Sequence, residues 1–247
     1  MVAREILRGR NYLALWRMRR VYPRLLENAG RYFLGRGDYP YVCELRTPRG
    51  VVAPTLFSGH DMWTVNEIFC RRDYGDDRSA RAVVDIGSNI GISALYFLTR
   101  NPDCRLWLYE PVPRNVERLR ANLAGHEDRF TLSEAAVAPA GGRVSFGVEE
   151  SGRYGGVGVN TGRAIEVAAV GIGEVLGKVL DSVPAIDVLK IDTEGSELDI
   201  LGAIGSELLR RVRTLYLEVE RRPEQAPDGF DSEYYNETWV LRNRISA

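Results

Sequence analysis

The sequence has 247 residues, 45% of them hydrophobic, which is enough for one sizeable core and predicts a single domain with an N-terminal extension. The formal net charge of −1 gives no indication of a nucleic-acid partner or a highly acidic substrate. Three isolated cysteines without C-x-x-C spacing argue against a zinc site or a disulfide framework and favour a reducing, cytoplasmic location, and no apolar run of about 18 residues predicts a transmembrane helix.

Residues 1–36 are strongly basic. They contain nine arginines against two glutamates, with apolar residues interleaved at roughly helical spacing and Pro23 interrupting the pattern. One interpretation is a basic amphipathic segment in peripheral contact with an anionic membrane surface or partner. The simpler interpretation, which the pattern favours, is a helix that packs its apolar side on the domain and leaves its arginines in water.

Residues 40–57 alternate well enough to predict two short strands joined by a turn. A helix is predicted at 63–69, and Asp61 is placed to cap it. Glu67 lies on this helix and could reach a ligand bound further along the chain. His60, one of only two histidines, is either a candidate general base or an exposed loop residue.

A buried strand, a tight turn and a helix are predicted in the segment Val83-Val84-Asp85-Ile86-Gly87-Ser88-Asn89-Ile90-Gly91 and the residues that follow it. Gly87 and Gly91 allow a sharp turn and the close approach of a ligand to the backbone. The spacing does not meet the dinucleotide fingerprint G-x-G-x-x-G. Asp85 at the end of the strand instead suits the cationic end of S-adenosylmethionine, although a purely structural turn is the alternative.

A second strand is predicted at 106–109 and ends in Glu110 and Pro111. Glu110 lies 19 residues beyond Gly91, which matches the spacing of the acidic residue that accepts hydrogen bonds from ribose hydroxyls. The alternative is a solvated glutamate at a loop mouth. A helix at 113–122 begins with a proline, as helices often do.

Residues 132–138 predict a third strand, whose end at Glu134, Ala135 and Ala136 would lie beside an adenine. An outer strand is predicted at 144–146. The segment 151–162 contains five glycines and is predicted to be a mobile loop, either a lid over the substrate or a connector.

A second motif is Ile186-Asp187-Val188-Leu189-Lys190-Ile191-Asp192-Thr193-Glu194-Gly195-Ser196-Glu197. Its apolar strand delivers Lys190, Asp192 and Glu194 to one edge of the sheet, and a helix at 196–204 follows. Unpaired buried charge is costly, so three charged residues at a strand end indicate a functional site. A lysine paired with two acids for structural reasons only is the alternative.

The C-terminal part is predicted to contain little further structure. A last parallel strand at 212–220 ends in the carboxylates Glu218 and Glu220. Residues 221–236 are predicted to be a loop, and 239–241 a short strand.

With both motifs identified, the sequence resembles the FkbM-type family of S-adenosylmethionine-dependent methyltransferases. The resemblance covers roughly residues 58–220 and rests on the following segments: Asp61, Glu67-Ile68-Phe69, Tyr74, Val84 to Gly91, Tyr109-Glu110-Pro111 and Leu189 to Gly195. It implies an α/β fold of the class I methyltransferase (Rossmann-like) type, a mostly parallel sheet with helices on both faces and an N-terminal helical and β extension. It also implies methyl transfer to a hydroxyl of a sugar or secondary metabolite.

Carried over to this chain, the resemblance predicts an extension at 1–80, a cofactor-binding core at 81–220 and a C-terminal loop and short strand at 221–247. The turn from Asp85 to Gly91 would hold the methionine part of S-adenosylmethionine, and Glu110 its ribose. The predicted cofactor-binding residues are Glu67, Asp85, Gly87, Ser88, Asn89, Gly91, Glu110, Pro111, Ala135, Ala136 and Asp192.

Two departures from the family pattern affect these expectations. The family has an acid followed shortly by a histidine at the end of the last parallel strand, whereas this chain has Glu220 after Glu218 and Val219. Only 27 residues follow that strand, which is short for the helix and antiparallel hairpin that complete the fold. Either the sheet is trimmed at this edge, or the N-terminal strands compensate.

For catalysis, an alcohol acceptor needs a general base or a metal to lose its proton. The candidates are Asp192 and Glu194, with Lys190 fixing their charge, and an alternative is a Mg²⁺ site formed by Asp192, Glu218 and Glu220. The expected substrate is a small molecule or glycan, with no nucleic acid. Other classes stay open: a nicotinamide oxidoreductase, a nucleic-acid methyltransferase, and a membrane-associated binding protein that retains the fold. The sequence does not define the oligomeric state.

Overall fold

A computed structural model describes residues 9–148, 155–157 and 164–245 of the chain. The glycine-rich segment 151–162 lies outside these described residues except for the three residues 155–157, so its role as a lid stays a prediction. None of the described helices is both long enough and apolar enough to cross a membrane.

The described helices are α1 (Gly9–Val21), α2 (Leu25–Leu34), α3 (Gly59–Val65), a π-helix (Asn66–Arg71), α4 (Ile92–Leu98), α5 (Pro113–Asn122), α6 (Ile172–Leu180), α7 (Glu197–Gly202) and α8 (Ser206–Leu209). The strands are β1 (Tyr41–Val42), β2 (Leu45–Thr47), β3 (Gly50–Val52), β4 (Thr55–Leu56), β5 (Ala82–Ile86), β6 (Arg105–Tyr109), β7 (Phe130–Ser133), β8 (Ala136–Ala138), β9 (Gly142–Val148), β10 (Gly155–Val157), β11 (Ala164–Gly171), β12 (Ile186–Ile191), β13 (Val212–Glu218), β14 (Phe230–Tyr235) and β15 (Thr238–Asn243).

The main sheet has seven strands in the order β14-β15-β13-β12-β5-β6-β7. The five strands from β13 to β7 are parallel, and β15 and β14 continue the sheet antiparallel to β13. The chain runs outward from β5 to β7 and then returns to the other side of β5 as β12. The crevice where the order of an open parallel sheet reverses is the usual ligand site, so the junction of β5 and β12 positions the functional site.

Helices and loops cover both faces of this sheet, which confirms the predicted fold class. One apolar cluster joins α1, the π-helix and α4 to one face, and a second joins α6 and α7 to the other. All seven residues of α4 are buried, because the N-terminal elements pack over a helix that already lies on the sheet. A helix that is apolar on every side is stable only in such a buried position.

The predicted third strand is divided between two sheets. Residues 130–133 form β7 at the edge of the main sheet, whereas 136–138 form β8, which pairs with β11 in a second, four-stranded sheet of order β10-β9-β11-β8. Ala136, Val137 and Ala138 are all buried. Ala136 and Ala138 pack with Val112, Val167 and Ala169 in a third, smaller apolar cluster, where their small side chains allow close packing.

The N-terminal strands do not extend the main sheet. They form two separate pairs, β1 with β4 and β2 with β3. The helix expected at 63–69 begins earlier, at Gly59, and continues as a π-helix from Asn66. The N-cap is Ser58 rather than the predicted Asp61: the Ser58 hydroxyl accepts from the Asp61 amide at 3.3 Å, and the Asp61 carboxylate accepts from the Ser58 amide at 3.0 Å, which completes a capping box.

The expectation of a trimmed C-terminal edge is wrong. Residues 230–243 form the antiparallel hairpin β14–β15, in which Trp239 and Leu241 are buried in the second apolar cluster and Val240 is buried in the first. The sequence misses β14 because this edge strand, Phe-Asp-Ser-Glu-Tyr-Tyr, is largely polar and only Phe230 is buried. The two-residue turn also lacks the glycine that usually marks a hairpin.

Candidate active site

A cavity of about 330 Å³ lies at the junction of β5, β12 and β13. It is lined by three groups of residues: on α3 and the π-helix side His60, Asp61, Trp63, Thr64, Glu67, Ile68, Arg71, Asp73 and Tyr74; on the β5 turn and α4 Gly87, Ser88, Asn89, Ile90, Ile92 and Ser93; and at the strand ends Lys190, Asp192, Glu194, Glu218, Asn236, Glu237 and Thr238. The cavity therefore brings together both sequence motifs, the N-terminal extension and the C-terminal hairpin.

Gly87 is required by the backbone that approaches it. Its φ is +76°, and a Cβ at this position would lie 1.8 Å from the carbonyl oxygen of Asp192. The Asp192 amide donates to the Ile86 carbonyl at 3.1 Å, so the end of β12 lies directly against the turn after β5. The glycine thus serves first to let two strand ends meet. Gly91 also has a positive φ, and a Cβ there would press on Leu119 of α5 and on Leu123, which follows that helix.

Lys190 joins these two strand ends electrostatically. Its ammonium lies 3.1 Å from Asp85 Oδ1 and 3.2 Å from Asp192 Oδ2, and it donates to the Gly87 carbonyl at 2.8 Å. Asp85 and Lys190 are register partners on adjacent parallel strands, so the pairing follows directly from the sheet. Burial would lower the pKa of Lys190, but the two carboxylates hold it above its ordinary value.

Asp85 does not face the cavity. Its side chain is fully buried, and its second oxygen accepts from the Ser93 hydroxyl at 2.5 Å. The sequence predicts that this carboxylate contacts a cationic ligand, whereas the structure turns it towards Lys190 and Ser93. Both partners are donors that compensate its charge, which is why it can be buried.

The predicted ribose and adenine residues lie outside the cavity. Glu110 is 4% exposed and accepts from the Asn89 and Val112 amides, both at 2.9 Å, and from the Asn115 side chain at 3.3 Å. Burial raises the pKa of Glu110 to about 7 despite these bonds. A carboxylate has about four acceptor positions, so roughly one stays available for a ribose hydroxyl.

Four further predicted cofactor residues also lie outside the cavity lining: Gly91, Pro111, Ala135 and Ala136. Ala135 and Ala136 are buried where the chain passes from β7 to β8. Their contact with the cofactor, like that of Glu110, stays a prediction.

The π-helix presents Glu67 to the cavity. Arg71, one turn later, lies 3.3 Å from the Glu67 carboxylate and also makes a bidentate contact with Asp73. Burial raises the pKa of Glu67 to about 7, against the attraction of Arg71. Short π-helical segments occur frequently at functional sites.

Glu218 and Tyr74 form a pair that sequence reasoning did not find. The Tyr74 hydroxyl donates to Glu218 Oε1 at 2.6 Å, and the ring of Tyr74 is buried between Phe97 and Tyr216. Loss of water in the cavity wall, and then the Asp192 carboxylate, raise the pKa of Glu218. Burial likewise raises the pKa of Asp192, against the attraction of Lys190. The strand-end position of Glu218 was visible in the sequence, but its partner lies 144 residues away.

Backbone strain is concentrated at the cavity. In the described part of the chain, positive φ values at residues other than glycine occur at Arg72, Asn89, Glu194, Asn236 and Glu237. All except Arg72 line the cavity. Such conformations persist where the surrounding structure enforces them, often at functional sites. Strand β12 ends at Ile191, so strand alternation does not place Glu194. The turn after the strand, in which Glu194 has a positive φ, brings it to the cavity wall.

The Mg²⁺ alternative finds no support in the arrangement of side chains. Within the residues that the structure describes, no group of three or more His, Cys, Asp or Glu could hold a metal ion. Glu220 is exposed and lies outside the cavity lining. The Lys190 ammonium occupies the position beside Asp192 where a cation would otherwise bind.

The geometry fits the methionine half of S-adenosylmethionine. The Ser88 and Asn89 turn lies at the cavity wall, and Glu67 and Asp192 can face a ligand that carries an ammonium and a sulfonium. The lining contains seven carboxylates against Arg71, Lys190 and one histidine, so it favours a cationic ligand over a pyrophosphate.

Comparison with known proteins gives a family match over residues 85–239, to the Methyltransferase FkbM domain. The chain is 26% identical over 211 residues to the 31-O-demethyl-FK506 methyltransferase FkbM of Streptomyces tacrolimicus, covering 71% of this chain and 80% of that protein. It is 30% identical over 152 residues to the 2-O-methyltransferase NoeI of Sinorhizobium fredii, covering 55% of this chain and 62% of NoeI.

Among solved structures, the chain is similar to the methyltransferase FkbM of Methylobacillus flagellatus, with 15% identity and a TM-score of 0.46. That alignment covers 74% of this chain and 54% of the other.

Proposed function

The chain belongs to the FkbM family of methyltransferases, and from this premise we propose that it methylates a hydroxyl group of a sugar or secondary metabolite. Family membership implies S-adenosylmethionine as the methyl donor. The observation that carries the proposal is the acid-lined cavity at the point where the order of the parallel sheet reverses. The names of FkbM and NoeI, both O-methyltransferases, support an oxygen acceptor.

When bound, S-adenosylmethionine supplies an activated methyl group, and the protein supplies binding and orientation. On the cofactor side, we propose that Ser88, Asn89 and Glu67 hold the methionine part. Glu110 would accept a hydrogen bond from the ribose at the other end of the turn, since its amide partners already fix its position. Lys190 holds the β5 turn and Asp192 together through its contacts with the Gly87 carbonyl and the Asp192 carboxylate.

On the acceptor side, the cavity lining also includes Trp63 of α3 and the hairpin turn Asn236–Glu237. Trp63 is about half exposed and packs edge-on against His60, with ring centroids 4.6 Å apart. An exposed aromatic ring beside amide and carboxylate groups suits an acceptor that has both apolar faces and hydroxyls.

Removal of the acceptor's proton is assigned to the carboxylates at the strand ends. Asp192 lies 3.2 Å from the Lys190 ammonium, which favours its charged form. Glu218 is fixed by Tyr74 through one oxygen, and its raised pKa suits a general base near neutral pH. We therefore propose Glu218 as the base, with Asp192 and Glu194 orienting the acceptor.

The test is isothermal titration of the purified chain with S-adenosylmethionine, followed by transfer of a labelled methyl group into a cell extract and mass spectrometry of the product. We expect micromolar or tighter binding and a product labelled on oxygen. Asp192→Asn should retain most of the binding but lose turnover. Asp187→Asn, within β12 and outside the cavity, is the control: its carboxylate pairs with Arg213 and accepts from the Arg81 and Ala82 amides, and the change should affect neither binding nor turnover.

Absence of affinity for both S-adenosylmethionine and its demethylated product would refute the proposal. A nucleic-acid acceptor is disfavoured because the carboxylates around the cavity would repel phosphates. Salt-dependent retention of DNA or RNA in a filter-binding assay, together with a labelled nucleic-acid product, would overturn that choice of acceptor.

A further inference from the structure

The two N-terminal helices expose several large apolar side chains. Leu13 and Trp16 of α1 are 49% and 51% exposed, and Leu26, Phe33 and Leu34 of α2 are 88%, 51% and 60% exposed. Single exposed apolar residues are ordinary on protein surfaces, whereas a concentration of six within 22 residues, with Leu15 at 38% exposed as the sixth, indicates a contact surface. We call these six residues together the N-terminal apolar face.

The N-terminal apolar face is separate from the buried residues through which the two helices pack on the rest of the molecule. On α1, Ala14, Met18 and Val21 repeat at helical spacing and are buried in the core. On α2, Asn28 is buried and accepts from the Tyr41 hydroxyl at 2.9 Å. Both helices are therefore held against the rest of the molecule by their buried residues, while the residues of the N-terminal apolar face stay exposed on each of them.

Exposed arginines accompany the apolar face. Arg19, Arg20 and Arg24 lie on or between the two helices and are exposed, and the Arg20 guanidinium lies 3.8 Å over the Trp16 ring. Residues 1–36 carry nine basic against two acidic side chains, a balance of +7, while residues 37–247 carry 24 against 32, a balance of −8. The chain is nearly neutral overall, but its positive charge is concentrated in residues 1–36 and its negative charge in the rest of the chain.

We propose that the N-terminal apolar face docks the protein on an anionic lipid surface. Apolar side chains with interleaved arginines and tryptophan suit the boundary between acyl chains and headgroups, where the arginines attract anionic headgroups. A second copy of the chain is a poorer occupant, because two faces of the same positive charge would repel each other.

The docking surface lies close to the active-site cavity. Helix α1 packs on the π-helix, and Arg17 donates to the carbonyls of Cys70 and Arg71 at 3.4 and 3.3 Å. Glu67, Ile68 and Arg71 of that π-helix line the cavity. Docking would therefore hold the cavity within one helix layer of the lipid surface. The proposal does not depend on the identity of the methyl acceptor.

The test is flotation of the full chain with phosphatidylcholine vesicles, alone or with about one third phosphatidylglycerol. The apolar variant is Leu26→Glu with Phe33→Glu. Its matched control is Val51→Glu with Leu198→Glu, which places the same two charges at side chains that are 61% and 49% exposed elsewhere. Arg19→Gln with Arg20→Gln tests the charge separately. Thermal unfolding shows whether each variant is folded.

We expect the wild type to bind anionic vesicles about tenfold more tightly than neutral ones, with binding that weakens as salt rises. The apolar variant and the arginine variant should each lose about tenfold or more, and the control variant should bind like the wild type. The proposal is overturned if anionic lipid gives no preference or if the control loses as much. It is also overturned if light scattering shows that the wild type is a dimer and the apolar variant a monomer, because a second copy would then cover the face.

Discussion

Two sets of carboxylates meet at the same strand ends but lie in opposite electrostatic surroundings. Asp85 is fully buried and is compensated by Lys190 and Ser93, and Lys190 also reaches Asp192. Glu218 lies on the cavity wall, where the neutral Tyr74 hydroxyl donates to it and its pKa is raised. We infer from this difference that the Lys190 ion pairs stabilise the fold, whereas the less compensated Glu218 is the proposed general base.

If the buried set is structural, removing Lys190 should have the largest effect on stability. Lys190→Met leaves Asp85 as a buried charge without its cation, so we expect a loss of about 3–5 kcal/mol in the free energy of unfolding, measured in urea. Arg213→Met, which breaks the exposed pair with Asp187, is the control and should cost no more than about 1 kcal/mol. Equal losses in the two variants would contradict the distinction.

Substitution of Glu218, the carboxylate on the cavity wall, should instead reduce turnover. Glu218→Gln removes the proposed base without leaving a buried charge, so we expect the rate of methyl transfer to fall at least about 100-fold while stability changes by less than about 1 kcal/mol. Glu220→Gln, two residues further along and outside the cavity, is the matched control and should retain the wild-type rate. A Glu218 variant with full turnover would return the role of base to Asp192.

The pH dependence tests the same carboxylate through its partner. Glu218 faces Tyr74, Asp192, Lys190 and Glu67, and its pKa is raised, so activity should fall as the pH drops through that raised pKa. The Tyr74 hydroxyl stabilises the carboxylate, so Tyr74→Phe should raise the pKa further. We expect the acid limb of kcat/KM to move upward by up to about one pH unit, since a hydrogen bond contributes about 1 kcal/mol. A purely structural role for Tyr74 would lower activity equally at every pH.

The smallest effect is expected at the hairpin turn. Glu237 has a φ of +63°, which glycine adopts without strain, so Glu237→Gly should raise the free energy of unfolding by about 0.5 kcal/mol. If its side chain contacts the acceptor, the KM for the acceptor should rise at the same time. Asn236→Gly, in the same turn, should gain less stability because asparagine tolerates a positive φ. A loss of stability in Glu237→Gly would show that the side chain, and not strain, determines the turn.

Much of the parallel core follows from local sequence. The strands at 82–86, 105–109 and 186–191 are short apolar runs, and the helix at 113–122 begins with proline, so their positions need no tertiary information. The sequence does not predict the strand and helix at 164–180 and predicts a loop at β14, because neither segment has an unambiguous hydrophobic period. The site was predicted in part: Glu67, Asn89, Lys190 and Asp192 do line one cavity.

The sequence by itself determined the family, the parallel sheet and the two motifs at its edge, because periodicity, glycine turns and charged strand ends are local signals. Only the tertiary structure decided that Asp85 turns away from the cavity to Lys190, that Tyr74 meets Glu218 across 144 residues, and that the C-terminal hairpin closes the site. These contacts join residues far apart in the chain, and burial, which sets their charge states, depends on everything packed around them.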